Sequence, residues 1–139
     1  MKAREPVTAV MTRDPTTVEL GDPLSYVYRL LRRAPFHHLP VMDGGSVAGL
    51  ISATDILRLV YDIERGDDKM LRTMLDHQYT IEDAMSIDLH TLPPTATVRD
   101  AAVVLSGGTF HSVLVVDGSG ELAGIVTSTD LIRYLRDLA

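Results

Sequence analysis

Gly124-Ile125-Val126-Thr127-Ser128-Thr129-Asp130 occurs in this chain as a second copy; the first reads Gly49-Leu50-Ile51-Ser52-Ala53-Thr54-Asp55. In both, a glycine and an apolar run lead to a hydroxyl residue, and an aspartate follows three positions later. A helical apolar pattern then begins, Ile56-Leu57-Arg58-Leu59-Val60 in one copy and Leu131-Ile132-Arg133-Tyr134-Leu135 in the other. The pattern predicts a strand that runs straight into a helix, with Ser52 or Thr127 at the junction. Ser/Thr-x-x-Asp at that place is a capping box. The hydroxyl accepts from a first-turn N–H, and the acid favours the positive end of the helix dipole. The same geometry suits a ligand, because free N–H groups at a helix start attract anions and a projecting Asp can hold the hydroxyls of a ribose. This stretch alone leaves both readings open.

Outward from the two copies the repetition continues. Met85 stands 74 residues after Met11, and the same offset runs to Gly44 and Gly118 before one extra turn residue makes it 75. Val10-Met11-Thr12 is echoed by Ala84-Met85-Ser86, and Thr17-Val18 by Thr91-Leu92. Phe36-His37 is echoed by Phe110-His111. So regular an offset marks an internal duplication. In the first half, Thr16–Leu20 reads as a short strand between Pro15 and Gly21. Asp22-Pro23 reads as an N-cap and first helical residue, and Leu24, Val27, Tyr28 and Leu31 space an amphipathic helix to about Ala34. Leu39–Met42 and Val47–Ile51 flank Asp43-Gly44-Gly45-Ser46 as a hairpin whose glycines supply positive φ. Pro40, with no N–H for a ladder, points to an edge strand or to backbone left open. The second half repeats this, with Thr97-Val98-Arg99-Asp100 opening a helix that Gly107-Gly108 closes, and a hairpin of Val113–Val116 and Leu122–Val126. Each half is thus a β-α-β-β-α unit. Between them Asp62, Glu64, Asp67 and Asp68 surround Gly66 as a solvated acidic face, and Met70–Leu75 reads as helix.

At 139 residues, with 45% hydrophobic and 23% charged content, the chain suits a soluble domain able to bury a core. A net charge of −6 without any Lys/Arg cluster speaks against nucleic acid. The absence of cysteine rules out disulfides and thiolate chemistry and favours a reducing cytoplasm. No 18-residue apolar stretch exists, so no membrane span is expected. His37 and His38 are the obvious metal candidates, yet neighbours on a strand point to opposite faces. No nucleophile elbow or paired-carboxylate pattern argues for an enzyme. The expectation is a non-catalytic, cytoplasmic protein with no metal and no required cofactor.

The duplicated Gly–apolar–x–Ser/Thr–x–x–Asp stretch, the Met-Thr/Ser pairs and the Asp-Gly hairpins together resemble a tandem pair of cystathionine-β-synthase (CBS) domains, the arrangement called a Bateman module. The resemblance runs from about Val7 to Leu138. It implies an α/β (α+β) fold of two β-α-β-β-α repeats, 7–60 and 81–138, packed with pseudo-twofold symmetry and joined by a partly helical connector, 61–80. It further implies a regulatory, energy-sensing role. An adenosine-containing effector would bind in the cleft between the repeats: AMP first, with ADP, ATP or S-adenosylmethionine as further candidates. In such proteins the Asp meets the ribose, the Ser/Thr residues line ribose and phosphate, and polar residues at the start of the other repeat's hairpin meet phosphate. Carried over, one site joins Thr127, Thr129 and Asp130 with His37, His38 and Pro40. The other joins Ser52, Thr54 and Asp55 with His111 and Ser112. Thr16, Ile125 and Leu50 would border adenine. No lysine or arginine stands at these positions, which suits a monophosphate or a neutral adenosyl compound. The family also implies a homodimer that reports to an effector protein. Helices with consecutive apolar residues, Leu30 and Leu31 or Val103, Val104 and Leu105, fit an apolar surface left for a second copy. The contrasting reading is a structural homodimerisation unit whose Ser/Thr-x-x-Asp motifs only cap helices.

Overall fold

The computed structural model describes residues 4–33, 37–61 and 68–138. In chain order these form a 3-10 turn, Val7–Ala9, then β1 (Thr12–Arg13), β2 (Val18–Glu19), α1 (Leu24–Arg33), β3 (His38–Asp43), β4 (Ser46–Ser52) and α2 (Ala53–Tyr61). There follow α3 (Asp68–Gln78), α4 (Ile81–Ala84), β5 (Thr91–Leu92), α5 (Val98–Ser106), β6 (Ser112–Val116), β7 (Leu122–Thr127) and α6 (Ser128–Leu138). The fold is mixed α+β, and each half carries the expected β-α-β-β-α order. Ala34 and Phe36 lie outside the described residues, as do the acids Asp62, Glu64 and Asp67 with Gly66 among them.

Two compact units emerge, and they are out of step with the sequence repeats. One is Thr16–Ile87; the other combines the N-terminal residues through Pro15 with those from Asp88 onward. In the first, parallel β2 and antiparallel β4 flank β3. Val18, Leu24, Val27, Leu39, Val41, Ile51 and Ile56 fill its core, together with Leu75 from α3 and Ile81 from α4. In the second, the order is β1-β7-β6-β5, with β5 parallel to β6 and the other pairs antiparallel. Val7 of the N-terminal segment joins Ala101, Leu105, Val113, Val115 and Val126 in that core. Backbone bonds from Val7 N–H to the Ala96 carbonyl and from Val98 N–H to that of Glu5, both 2.8 Å, fasten the segment there. Fully burying an aliphatic side chain such as Val7 is worth about 1.5–3 kcal/mol, so the exchange is well supported.

The duplicated glycine explains where the exchanged segment goes. A Cβ built on Gly124 would lie 2.6 Å from Met11 Sδ and 2.7 Å from the Thr12 carbonyl. On Gly49 it would meet Met85 Sδ at 2.6 Å and the Ser86 carbonyl at 2.9 Å. Met11-Thr12 therefore crosses over Gly124, where β1 pairs with β7, and Met85-Ser86 crosses over Gly49, where Ser86 bridges Leu50. Only glycine lets two backbones approach so closely.

Two expectations need correction and one narrows. Pro40 is not on an edge, because β3 is the middle strand, which leaves the reading of open backbone. It faces Leu50, whose N–H and C=O are both taken by Ser86, at 3.0 and 2.8 Å. That makes Pro40–Leu50 a non-hydrogen-bonded pair, so the missing N–H falls on the β2 flank, beyond the first residue of β2. Nor does Asp22 cap α1: its carboxylate turns back to the Glu19 N–H at 2.8 Å. Asp76 of α3 does so instead, accepting from the Ser25 N–H at 2.8 Å and the Ser25 hydroxyl at 2.6 Å. In the hairpins, only Gly44 and Gly120 take positive φ, 64° and 89°, whereas Gly45 and Gly118 do not.

Candidate ligand-binding site

Both motifs fold as strand into helix: β4 ends at Ser52 and β7 at Thr127, and α2 and α6 follow without a gap. Asp130 Oδ2 accepts from the Thr127 N–H at 2.9 Å and the Thr127 hydroxyl at 3.2 Å, and the Asp130 N–H returns to that hydroxyl at 3.4 Å. Asp55 Oδ2 accepts from the Ser52 N–H at 2.8 Å and its hydroxyl at 2.9 Å, with the return bond at 3.2 Å. These are capping boxes.

Capping alone does not single them out. Thr80–Asp83 and Thr97–Asp100 form the same box at the starts of α4 and α5, with acids exposed to solvent. Asp130 differs by burial, at 7% exposure, and by what its second oxygen does. Oδ1 takes no part in the cap. It accepts a long bond from the Thr12 hydroxyl, 3.3 Å, and lies 3.7 Å from Arg133 Nη1. Asp55 Oδ1 likewise lies 3.6 Å from Arg58 Nη1. A carboxylate has about four acceptor positions, so each acid can cap its helix and still accept from a ligand hydroxyl.

Arg58 and Arg133 were not singled out from the sequence, although Asp-x-x-Arg repeats in both copies. Residues three apart share a helix face, so each arginine was bound to reach its acid. Both cations are largely exposed, at 75% and 63%, and an exposed pair of this kind is worth at most about 1 kcal/mol. They place a positive charge beside each helix start, where only neutral and histidine side chains were expected. Thr12 was likewise missed: its partner Asp130 is 118 positions away, a separation no local pattern reveals.

The remaining expected residues fall as follows. In one unit, Pro40 lies opposite Leu50 and His38 opposite Ser52, and Thr16 stands two residues before the start of β2. The His37 carbonyl accepts from the Ala53 N–H at 3.3 Å, which seats the exposed His37 beside the first turn of α2. In the other unit, Ser112 lies opposite Thr127, and Ile125 between Leu114 and Thr12. Ser112 is 4% exposed, and its hydroxyl has no partner among the described residues. His111, Thr54 and Thr129 are exposed. Among the described residues no cluster of three His, Asp or Glu could hold a metal, and no helix is long and apolar enough to cross a membrane.

Known proteins resemble the chain in sequence and in fold. The sequence matches the CBS domain over residues 7–62 and again over 81–137. An uncharacterized protein of Methanocaldococcus jannaschii is 31% identical over 137 residues, 95% of this chain and 32% of that one. The inosine-5′-monophosphate dehydrogenase of Korarchaeum cryptofilum is 28% identical over 130 residues, 94% of this chain and 24% of that one. The chain spans a third or less of the length of these two relatives. Among solved structures, CBSX2 in complex with AMP has a TM-score of 0.78 at 24% identity, covering 96% of this chain and 98% of that one. A CBS domain pair in complex with 5′-methylthioadenosine and S-adenosyl-L-methionine has a TM-score of 0.79 at 24% identity, with coverages of 96% and 98%. At that identity the likeness is one of fold.

Proposed function

We propose that this chain, which belongs to the CBS domain family and carries two of its repeats, is a non-catalytic regulatory module that binds an adenosine-containing ligand at its duplicated helix starts. The observation that carries the reading is the division of labour in the Asp130 carboxylate: Oδ2 caps α6, and Oδ1 stays outside the cap, with a long 3.3 Å bond from the Thr12 hydroxyl and Arg133 Nη1 at 3.7 Å. A ribose offers two vicinal hydroxyls to such an acceptor. Thr127, Thr129 and Asp130 on one unit, and Ser52, Thr54 and Asp55 on the other, are the residues assigned to ribose and the adjoining phosphate. His37, His38 and His111 are assigned to phosphate, with Arg58 and Arg133 adding positive charge. The Ser112 hydroxyl is a buried group that a ligand could satisfy. AMP is the ligand of choice, in keeping with the AMP, methylthioadenosine and S-adenosylmethionine found on proteins of this fold.

The second reading, a homodimerisation unit in which the boxes only cap, draws support from the two boxes at Thr80 and Thr97 that face solvent. One experiment separates the two. Melting is followed with AMP, ADP, ATP, adenosine, S-adenosylmethionine and 2′,3′-dideoxy-AMP. Ligand at about 100 times its dissociation constant should stabilise by about 2.7 kcal/mol, and the dideoxy compound by much less. A flat screen at millimolar ligand would leave the capping reading alone. Self-association fits both readings. On α6, Ile132 and Leu135 are 64% and 55% exposed, and on α2 Leu57 is 64% exposed. A second copy of the chain is the partner we assign to these faces, and an effector protein is the output.

A further inference from the structure

The two units differ at one backbone bond, and the difference bears on which base is bound. In one unit the Leu114 N–H donates to the His90 carbonyl at 3.1 Å, and the β5–β6 ladder opens at Thr91 opposite Leu114. In the other the β2–β3 ladder opens one step later, at Val18 opposite Val41. The missing step would set Thr17 opposite residue 40 and would need the residue 40 N–H to reach the Thr16 carbonyl. Residue 40 is proline and has no N–H. Among the described residues no hydrogen bond reaches the Thr16 carbonyl, and Thr16 is exposed. On its other flank Pro40 gives nothing to Leu50, whose polar groups are spent on Ser86. The proline thus costs the sheet one bond, at a place bordered by Thr16 and Leu50.

We propose that Pro40 is a specificity-determining residue: by withholding an N–H it keeps the Thr16 carbonyl open as an acceptor for an N–H of the ligand, namely the exocyclic amine of adenine. Leu114 closes the corresponding His90 carbonyl, so the two units are unequal in this respect. The inference rests on the adenosyl reading above and adds a residue-level basis for choosing an amino-bearing base. A backbone carbonyl accepts and cannot donate, so it discriminates in one direction only.

The test is titration calorimetry with AMP and with the 5′-monophosphate of purine riboside, which lacks only the amine. One net hydrogen bond is worth about two- to tenfold in affinity, so wild type should bind AMP tighter by that factor. Pro40→Leu restores the N–H with the side chain already accommodated at position 114, and the ratio should fall to about one. If that variant fails to fold, Pro40→Ala restores the same N–H with a smaller side chain. Hydrogen exchange supplies a second readout: in ligand-free variant the residue 40 amide should be as slow as that of Leu114. A ratio of one in wild type, an unchanged ratio in the variant, or a fast-exchanging residue 40 amide would each overturn the role of Pro40 while leaving adenosyl binding intact. Failure of both nucleotides to bind wild type would remove the adenosyl reading, and this inference with it.

Discussion

Replacing Gly124 by alanine tests the close crossing that joins the N-terminal segment to β7. The new methyl would sit 2.6 Å from Met11 Sδ and 2.7 Å from the Thr12 carbonyl, where 3.4 Å is the short end of ordinary contact. Met11 ends in a flexible thioether and can swing aside. The Thr12 carbonyl belongs to β1, so relief of about 0.7 Å has to come from moving one strand off the other. The β1–β7 pairing holds two residue pairs, Thr12–Ile125 and Arg13–Gly124, and the Thr12 hydroxyl bond to Asp130 goes with it. Overpacking of this kind costs about 1–3 kcal/mol. For a chain of this length that is a fall in melting temperature of about 3–10 °C. Gly118→Ala is the control, since nothing lies within 4 Å of its added methyl and its φ is not positive. Pairing Gly124→Ala with Met11→Ala removes the sulfur contact and leaves the carbonyl, so it should not restore stability. A melting temperature for Gly124→Ala equal to that of the control would refute the crossing as the reason for the glycine, and full rescue by Met11→Ala would refute the part assigned to backbone.

Asp130→Ala should weaken AMP binding more than Asp55→Ala, because Asp130 is the more buried acid and carries the Thr12 contact; each should also lower ligand-free stability by about 1 kcal/mol, and calorimetry beside melting curves checks both. Leu75→Ala should cost about 2–5 kcal/mol in denaturant unfolding, since Leu75 is fully buried although it stands in the stretch between the repeats. Ile132→Glu with Leu135→Glu should convert the assigned dimer to monomer in sedimentation at tens of micromolar, and a monomeric wild type would remove that assignment. Acid stability has a definite sign. The Thr97 backbone N–H, ahead of the Thr97 hydroxyl, holds the Asp100 carboxyl below its usual value. The Ser119 hydroxyl, ahead of the Glu121 N–H, does so for Asp117. A carboxyl with a lowered folded pKa gives its full contribution above the ordinary carboxylate range and loses it as pH falls through the folded value. Asp100→Asn with Asp117→Asn should therefore flatten the acid limb of a stability–pH curve, and an unchanged limb would count against the two bonds.

The order of elements was legible because apolar periodicity and turn chemistry are local. Leu24, Val27 and Leu31 announce α1, and Asp43-Gly44-Gly45-Ser46 announces the hairpin. What stayed hidden depends on distant partners. Thr12–Arg13 does not look like a strand, since two residues pair only because Gly124 admits them. Asp22 has the right chemistry and position for a cap, yet Asp76, 51 positions beyond Ser25, has the better approach. The capping boxes of the candidate site could be read residue by residue. The arginines are equally local, three positions after each acid, but an exposed i,i+3 pair is an ordinary feature of a solvated helix and does not by itself mark a site.

The exchange of the N-terminal segment has a consequence for the order in which the chain can fold as it is made. Thr12 leaves the ribosome long before Asp130, its partner 118 positions on. Residues 16–87 are complete while the other unit still lacks its last strand. The middle of the chain is thus free to condense first, with the N-terminal segment left waiting, and Val7 exposed, until β7 emerges. Closing so long a loop is slow relative to local pairing, which makes the joining of β1 to β7 a late step of folding. A fragment cut at the sequence repeat, residues 7–62, would carry a strand with no sheet to enter and leave Leu50 without Ser86. The fragment that keeps its own bonds is residues 16–87.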